Sequence, residues 1–226
     1  MAAAQAAAPG GIAVIPVRVD LAPARTTSSL QVSNGTDAER RFQIEALRWT
    51  RVDGEDRFEP AEELVVNPPL FRLKAGAAQV VRVGMLDAVP AAVEGAYRIY
   101  ISEVPDGTAP PDNQLRVLMR FGVPVFVAPQ AAVQPALQWS ARHGADGYAL
   151  TARNAGNAHE RRASLVVRDA DSGRVLWQQD GFRDLLAGGD TYTWRFRASG
   201  AAARTLRIEA LTDTGAADAE VDVQTH

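Results

Sequence analysis

One unusually long stretch of this sequence has the pattern of a β-strand, Leu115-Arg116-Val117-Leu118-Met119-Arg120-Phe121-Gly122-Val123-Pro124-Val125-Phe126-Val127. In extended form these residues span about 43 Å at about 3.3 Å per residue, which is more than one edge of a small β-sandwich uses. At the period of two that a strand imposes, one face carries Leu115, Val117, Met119, Phe121, Val123 and Val125. The opposite face mixes two arginines with further apolar residues. Because both faces carry apolar groups, the segment predicts either a second core nearby or an exposed edge that pairs with a partner.

Pro124 favours the exposed edge, since proline has no N–H to donate and is found mainly on edge strands. A long uncovered edge is normally suppressed as an aggregation hazard, so one that is retained is a candidate interaction site. The strand pattern alone leaves a second interpretation open. In that interpretation the segment is the last strand of an ordinary sandwich, and a second domain buries both of its faces.

The residues before this segment predict further strands, with turn clusters such as Asn34-Gly35-Thr36-Asp37 between them. The predicted strands of the first half are 13–21, 28–34, 40–50, 64–73, 79–84, 97–104 and 115–127. Seven short strands of this kind are typical of an immunoglobulin-like sandwich, in which two sheets bury alternate side chains between them. The acidic residues Glu55, Asp56, Glu62 and Glu63 are interpreted as a solvated loop.

The second half carries a similar but weaker pattern. Its predicted strands are 147–153, 163–168, 174–178, 191–196, 204–210 and 219–223. Proline and small residues in 127–135 predict a short, stiff connection, with the domain boundary near Pro129. We therefore expect an all-β protein of two immunoglobulin-like β-sandwich domains, L-shaped with an interdomain cleft. We expect a first domain at 12–129 and a second domain at 130–226. Residues 1–11 would be a disordered segment that remains after signal-peptide cleavage or that was added to the chain.

Composition narrows the classes of function. With 226 residues, 46% hydrophobic residues and 23% charged residues, the chain is typical of a globular protein. The net charge of −3 gives no basic field for a nucleic acid or an anionic membrane, and the apolar runs are too short to insert into a bilayer. Without cysteine the chain can form neither a disulfide framework nor a thiolate metal site.

The sequence offers no constellation typical of catalysis. The three histidines, His143, His159 and His226, lie in separate segments without ligand spacing. The chain also lacks a nucleophile elbow and a phosphate-binding loop. We therefore expect a protein that is not an enzyme and that uses no metal or other cofactor.

Four ordered segments of the first domain resemble the periplasmic pilus (fimbrial) chaperone family, whose best-known member is PapD. They are Arg18 followed by Ser33-Asn34, Asn67-Pro68-Pro69-Leu70-Phe71-Arg72-Leu73, Tyr97-Arg98-Ile99-Tyr100-Ile101-Ser102-Glu103-Val104-Pro105, and the long stretch 115–127. The resemblance spans most of the first domain.

The resemblance implies a mechanism, donor-strand complementation. Pilin subunits of this kind are sandwiches that lack their last strand, and the chaperone lends a strand whose alternating apolar side chains fill the exposed groove. On this sequence the donor residues would be Leu115, Val117, Met119 and Phe121. Basic residues anchor the subunit's C-terminal carboxylate, and Arg18 matches the first of them.

The sequence departs from the best-studied branch at the second anchor, because Pro124 stands where that branch has a lysine. Arg98, on the neighbouring predicted strand, is the expected replacement, a pattern that resembles the archaic branch of the family. The basic residue that would pair with Glu94 in an interdomain ion pair is also missing. A solvated surface role for Arg18 and Arg98 is the alternative.

The resemblance implies a periplasmic chaperone of the chaperone-usher pathway, which assembles pili (fimbriae). Fimbrium biogenesis of this kind is part of cell wall organization. The chaperone's expected partners are pilin subunits and an outer-membrane usher, and self-association of the free chaperone stays open. The alternative is a structural or adhesive tandem-sandwich module without enzymatic activity, in which the long strand is internal.

Overall fold

The computed structural model describes residues 10–52, 54–86, 92–105, 117–134, 136–213 and 215–225. Within these ranges the regular secondary structure is entirely β-strand. A helix suited to crossing a membrane is likewise not found among these residues. The chain divides into two compact units. The first comprises 1–50, 56–91 and 95–130, and the second comprises 51–55, 92–94 and 131–226.

Ten strands precede the main part of the second unit. They are β1 Ile12–Ile15, β2 Val19–Leu21, β3 Thr27–Asn34, β4 Arg40–Val52, β5 Glu55–Pro60, β6 Leu64–Asn67, β7 Leu70–Leu73, β8 Ala78–Met85, β9 Gly95–Val104 and β10 Arg120–Val127.

These strands form two sheets that enclose the first core. One sheet has the order β1-β3-β8-β6, and the other has the order β2-β10-β9-β4-β5 with β7 paired to β4. Side chains at every second position point inward, as Tyr97, Ile99 and Ile101 do on β9, and are almost wholly buried. This is the immunoglobulin-like sandwich that the strand count predicts.

Two predicted strands are each divided in the structure. The predicted strand 13–21 consists of β1, which pairs with β3 in one sheet, and β2, which pairs with β10 in the other. The predicted strand 64–73 consists of β6 and β7. Both interruptions contain a proline, Pro16 or Pro68, each after a cis peptide bond. Proline cannot donate to a strand ladder, which fits its place between two strands.

Two strands were not predicted from the sequence. β5 includes Glu55 and Asp56, so the interpretation of these acids as part of a loop is wrong. The side chains of β5 are mostly exposed, and an edge strand of this kind carries little apolar pattern. The strand β11 Leu137–Gly144 was also missed, because only Leu137, Trp139 and Ala141 mark its inward face.

The second unit is a seven-stranded sheet that curves around its own core. Its remaining strands are β12 Gly147–Asn154, β13 Glu160–Asp169, β14 Val175–Leu185, β15 Thr191–Phe196, β16 Thr205–Thr212 and β17 Gly215–Thr225. The sheet order is β14-β13-β16-β17-β11-β12-β15. Leu150, Leu165 and Leu206 lie at the centre of this core, together with Trp194 and Phe196.

A buried asparagine organises the same corner in both units. Asn34, at the end of β3, donates from Nδ2 to the carbonyl oxygens of Ala38 at 2.8 Å and Leu73 at 3.0 Å, and its Oδ1 accepts from the Thr36 N–H at 3.0 Å. Asn154, at the end of β12, donates in the same way to Ala158 and Leu185. The amide side chain satisfies backbone groups that the turn would otherwise leave buried without a partner.

Replacing Asn34 by alanine should destabilise the first unit. The change leaves buried carbonyl oxygens without donors and should lower the free energy of unfolding by about 2 to 3 kcal/mol. The matched control is Ser29→Ala, an exposed position on the same strand, which should change stability by no more than about 0.5 kcal/mol. Urea unfolding monitored by circular dichroism measures both, and equal stabilities for the two variants would contradict this role of Asn34.

Candidate functional site

The long segment forms a strand that pairs with neighbouring strands to different extents along its two edges. β10 pairs with β9 along all of Arg120–Val127. On its other side β10 pairs with β2, in parallel, only at Val125–Val127. Among the described residues, no strand covers that second side over 120–124. The structure thus places an open edge in the first half of β10.

The backbone of this open half presents unpaired hydrogen-bonding groups. Glu103 N–H donates to the Met119 carbonyl at 2.8 Å, which identifies Met119 as a residue whose main chain faces β9. Orientation alternates along an antiparallel strand, so Phe121 and Val123 also face β9, while Arg120, Gly122 and Pro124 face the open side. Pro124 offers only a carbonyl oxygen there, so a strand added to this edge loses one hydrogen bond at that position.

The apolar side chains on the core-facing side of the segment become more exposed toward its N-terminal end. Val125 and Val123 are 0% and 2% exposed, Phe121 is half-buried, and Met119 and Val117 are 44% and 65% exposed. The row of apolar side chains therefore continues beyond the sandwich that it helps to fill. Leu115, the fourth predicted donor residue, lies outside the described residues. The predicted strand 115–127 is shorter in the structure, because regular pairing begins at Arg120.

The two predicted anchor residues flank Pro124. Arg98 on β9 is the direct partner of Pro124 in the antiparallel pairing. Arg18 precedes Val19, which is opposite Val125, so Arg18 lies beside Pro124 at the point where β2 begins. The structure thus places Arg18 and Arg98 on opposite sides of β10, at the end of the open edge.

Aromatic rings, which the sequence interpretation missed, support both guanidinium groups. The Arg98 guanidinium carbon lies 4.2 Å from the centre of the Trp49 ring and 5.6 Å from that of Phe58. The Arg18 guanidinium carbon lies 5.3 Å from the centre of the Phe126 ring, and the Phe126 and Trp49 ring centres are 6.2 Å apart. Alternation along the predicted strands could have placed Phe126 and Arg98 on one face, but not Phe58, since β5 was not predicted.

The two cations differ in their charge partners. Arg18 Nε donates to Asp20 Oδ1 at 2.8 Å. Arg98 Nε is buried and has no hydrogen-bond partner among the described residues. A guanidinium held against aromatic rings without a nearby carboxylate retains its capacity to bind an anion.

Glu94, whose basic partner in the family is missing from this sequence, has a different partner in the structure. Residues 92–94 belong to the second unit, and there Glu94 Oε1 accepts from the His159 N–H at 3.0 Å and lies 2.7 Å from His159 Nδ1. Both side chains are almost fully buried. His159 is therefore part of this buried contact. Across the described ranges, histidine and acidic residues form no group suited to a metal ion.

One protein-family model matches the chain. The family model for pili and flagellar-assembly chaperones, PapD N-terminal domain, matches residues 11–133. No curated protein sequence matches the chain significantly.

Similar solved structures cover nearly the whole chain. One is a chain of the CsuC–CsuE chaperone and tip subunit pre-assembly complex from the archaic chaperone-usher Csu pili of Acinetobacter baumannii, with 19% identity, 96% of this chain and 100% of that chain covered, and a TM-score of 0.69. Another is a chain of the Salmonella enterica SafA pilin complex with the SafB chaperone, with 20% identity, coverages of 94% and 96%, and a TM-score of 0.64. The CupB2 chaperone of Pseudomonas aeruginosa has 20% identity, coverages of 93% and 100%, and a TM-score of 0.58. At these identities the likeness shows the fold.

Arg98 should contribute little to the stability of the fold. Arg98→Met removes a cation–π contact and also the cost of holding a partly buried cation, so the free energy of unfolding should change by no more than about 1 kcal/mol. Trp49→Ala, at a ring that is almost fully buried, should cost about 3 kcal/mol or more. Urea unfolding compares the two variants. An equal loss for Arg98→Met would show that this arginine is a structural element of the core.

Proposed function

This chain belongs to the PapD family of pili and flagellar-assembly chaperones, and on that premise we propose that it captures pilus subunits by donating the open half of β10. The observation that carries the proposal is the coincidence of two features on one segment. An unpaired backbone edge at 120–124 lies next to apolar side chains that leave their own core at Met119 and Val117. The family is one of chaperones and not of enzymes.

Strand addition uses both features at once. An incoming strand pairs with the N–H and C=O groups of Arg120 and Gly122, which gives affinity independent of side chains. The side chains of Val117 and Met119 then enter the groove of a subunit that lacks a strand, and Leu115 and Phe121 extend the same row. The groove, which would otherwise promote aggregation, stays covered while the subunit is bound.

The arrangement of β2 limits the position of the added strand. Because β2 occupies the same side of β10 from Val125 onward, an added strand can extend only as far as the start of β2, where Arg18 lies. Its terminus would therefore lie beside Arg18, with Arg98 across β10 on β9. A C-terminal carboxylate at that point would form charge-assisted hydrogen bonds with the two guanidinium groups and would fix the register of the added strand. The added strand would then run parallel to β10.

We propose that subunit capture takes place in the periplasm. An outer-membrane usher would then receive the subunit from the chaperone. The family match and the chaperone–subunit complexes among the similar structures support this setting. The alternative, a passive tandem-sandwich module, would require a covered edge. The described residues contain no strand that covers β10 at 120–124.

Charges placed on the donor row should abolish capture. In the double variant Val117→Asp, Met119→Asp, two carboxylates would have to enter an apolar groove, so subunit binding should fall at least about 100-fold. The fold should persist, because both positions are exposed. Periplasmic co-expression with pilus subunits encoded beside the gene, followed by affinity purification and mass spectrometry, measures the effect.

The matched control for that experiment is Val80→Asp, an exposed apolar position on β8 in the other sheet, with 51% of its surface exposed. This variant should capture subunits as the wild type does. Capture by the double aspartate variant at the wild-type level, with circular dichroism showing a folded chain, would refute donation by this segment.

Loss of either anchor should weaken subunit retention without unfolding the chaperone. Arg18→Ala and Arg98→Ala each remove a charge-assisted contact, and each should raise the dissociation constant about 10- to 100-fold. The control is Arg82→Ala, an exposed arginine on β8. A subunit extended by one residue at its C terminus should bind the wild type as weakly as the normal subunit binds the arginine variants. If the extended subunit binds the wild type normally, the carboxylate is not the group that the arginines hold.

A further inference from the structure

A buried carboxylate contacts Met119, the residue that precedes β10. Glu103 is the last inward-facing residue of β9, following Tyr97, Ile99 and Ile101, and it is only 6% exposed. Its Oε1 accepts from Arg40 Nη1 at 2.9 Å. Its Oε2 accepts from the Met119 backbone N–H at 3.3 Å. Each carboxylate oxygen therefore has its own donor.

The bond to Met119 replaces part of the ordinary pairing between strands. In a regular antiparallel ladder the Met119 N–H would donate to the main-chain carbonyl of the residue opposite. Here Glu103 N–H donates to the Met119 carbonyl at 2.8 Å, but the return bond goes to the Glu103 side chain. The regular ladder accordingly ends at the pair Arg120–Ser102. The carboxylate thus holds the first backbone unit beyond the sheet.

The ion pair is connected to the buried corner that Asn34 organises. Arg40 Nε donates to Thr36 Oγ1 at 3.4 Å, and Thr36 Oγ1 donates to Asn34 Oδ1 at 2.7 Å. Asn34 is fully buried. A continuous series of hydrogen bonds therefore leads from the buried corner, through Arg40 and Glu103, to the backbone of Met119.

We infer that the Arg40–Glu103 pair is a positioning clamp that fixes the register in which Val117 and Met119 are presented to a subunit. The inference rests on the proposed donor-strand function. A hydrophobic pair at these two positions would fill the rim of the core equally well but could not hold the Met119 N–H. The clamp therefore accounts for a partly buried ion pair where apolar residues would suffice for stability.

The decisive variant replaces both partners, as Arg40→Met, Glu103→Met. Replacing a buried ion pair by apolar residues of similar volume is often neutral for stability, so the chain should stay folded. The Met119 amide should exchange with solvent about tenfold faster, because its acceptor is gone. Subunit affinity should fall by about the same factor, because the donor segment must be ordered on binding. Exchange is measured by NMR on the free chain, and affinity with the purified subunit.

Two further variants make the outcome unambiguous. Glu103→Gln keeps an oxygen acceptor, so the exchange rate of its Met119 amide should lie between the rates of the wild type and of the double methionine variant. This single variant still tests the clamp if the double variant does not fold. The control pair is Arg168→Met, Glu209→Met, which removes an ion pair of 3.0 Å in the second unit and should leave both measurements unchanged.

The results separate this inference from the proposed function. Wild-type Met119 exchange in both Glu103 variants, or wild-type subunit affinity in the folded double variant, would overturn the clamp while leaving the donor strand intact. If the wild-type chain itself binds no subunit, the proposed function fails. The exchange data then still decide whether Glu103 orders Met119.

Discussion

The structure depends on a strand, β10, that is paired along the whole of one side but along only part of the other. β10 belongs to its own sandwich through β9 and through the buried side chains of Val123 and Val125, yet its other side is open over 120–124. Leaving backbone groups unpaired is tolerable only where water or a partner can satisfy them. The rest of the first unit can be understood as support for that open half, since β9 holds it from one side and β2 ends it at Val125.

The open edge also explains the distribution of charge around it. An exposed apolar edge promotes non-specific pairing, and proteins limit this hazard with charged residues, proline and short edges. Pro124 and the start of β2, where Arg18 lies, confine the accessible edge to a few residues, and Arg98 lies opposite Pro124 on β9. The rings of Phe126 and Trp49 already hold the guanidinium groups of Arg18 and Arg98 in place, so an anion bound there would cost little further side-chain freedom.

Much of this arrangement could be predicted from the sequence. The features that could not be predicted have physical reasons for leaving no sequence pattern. The alternation in 115–127 and Pro124 predict an edge strand with an apolar face, because period-two patterns and the missing N–H are local properties. The neighbouring positions of Arg18 and Arg98 depend on the register of three strands, which spacing alone does not fix. β5 and the Arg40–Glu103 pair escaped prediction, since a polar edge strand has no apolar period and a buried ion pair forms between residues far apart in the chain.

Amide exchange at β10, measured with and without a bound subunit, shows whether the open edge of this strand pairs with the subunit. The alternation of the strand predicts that the N–H groups of Arg120 and Gly122 exchange rapidly in the free chain and become protected in the complex. Those of Phe121 and Val123 should be protected in both states, because they face β9. Arg120 and Gly122 amides that are already protected in the free chain, or that stay unprotected when the subunit binds, would contradict the donation of this edge.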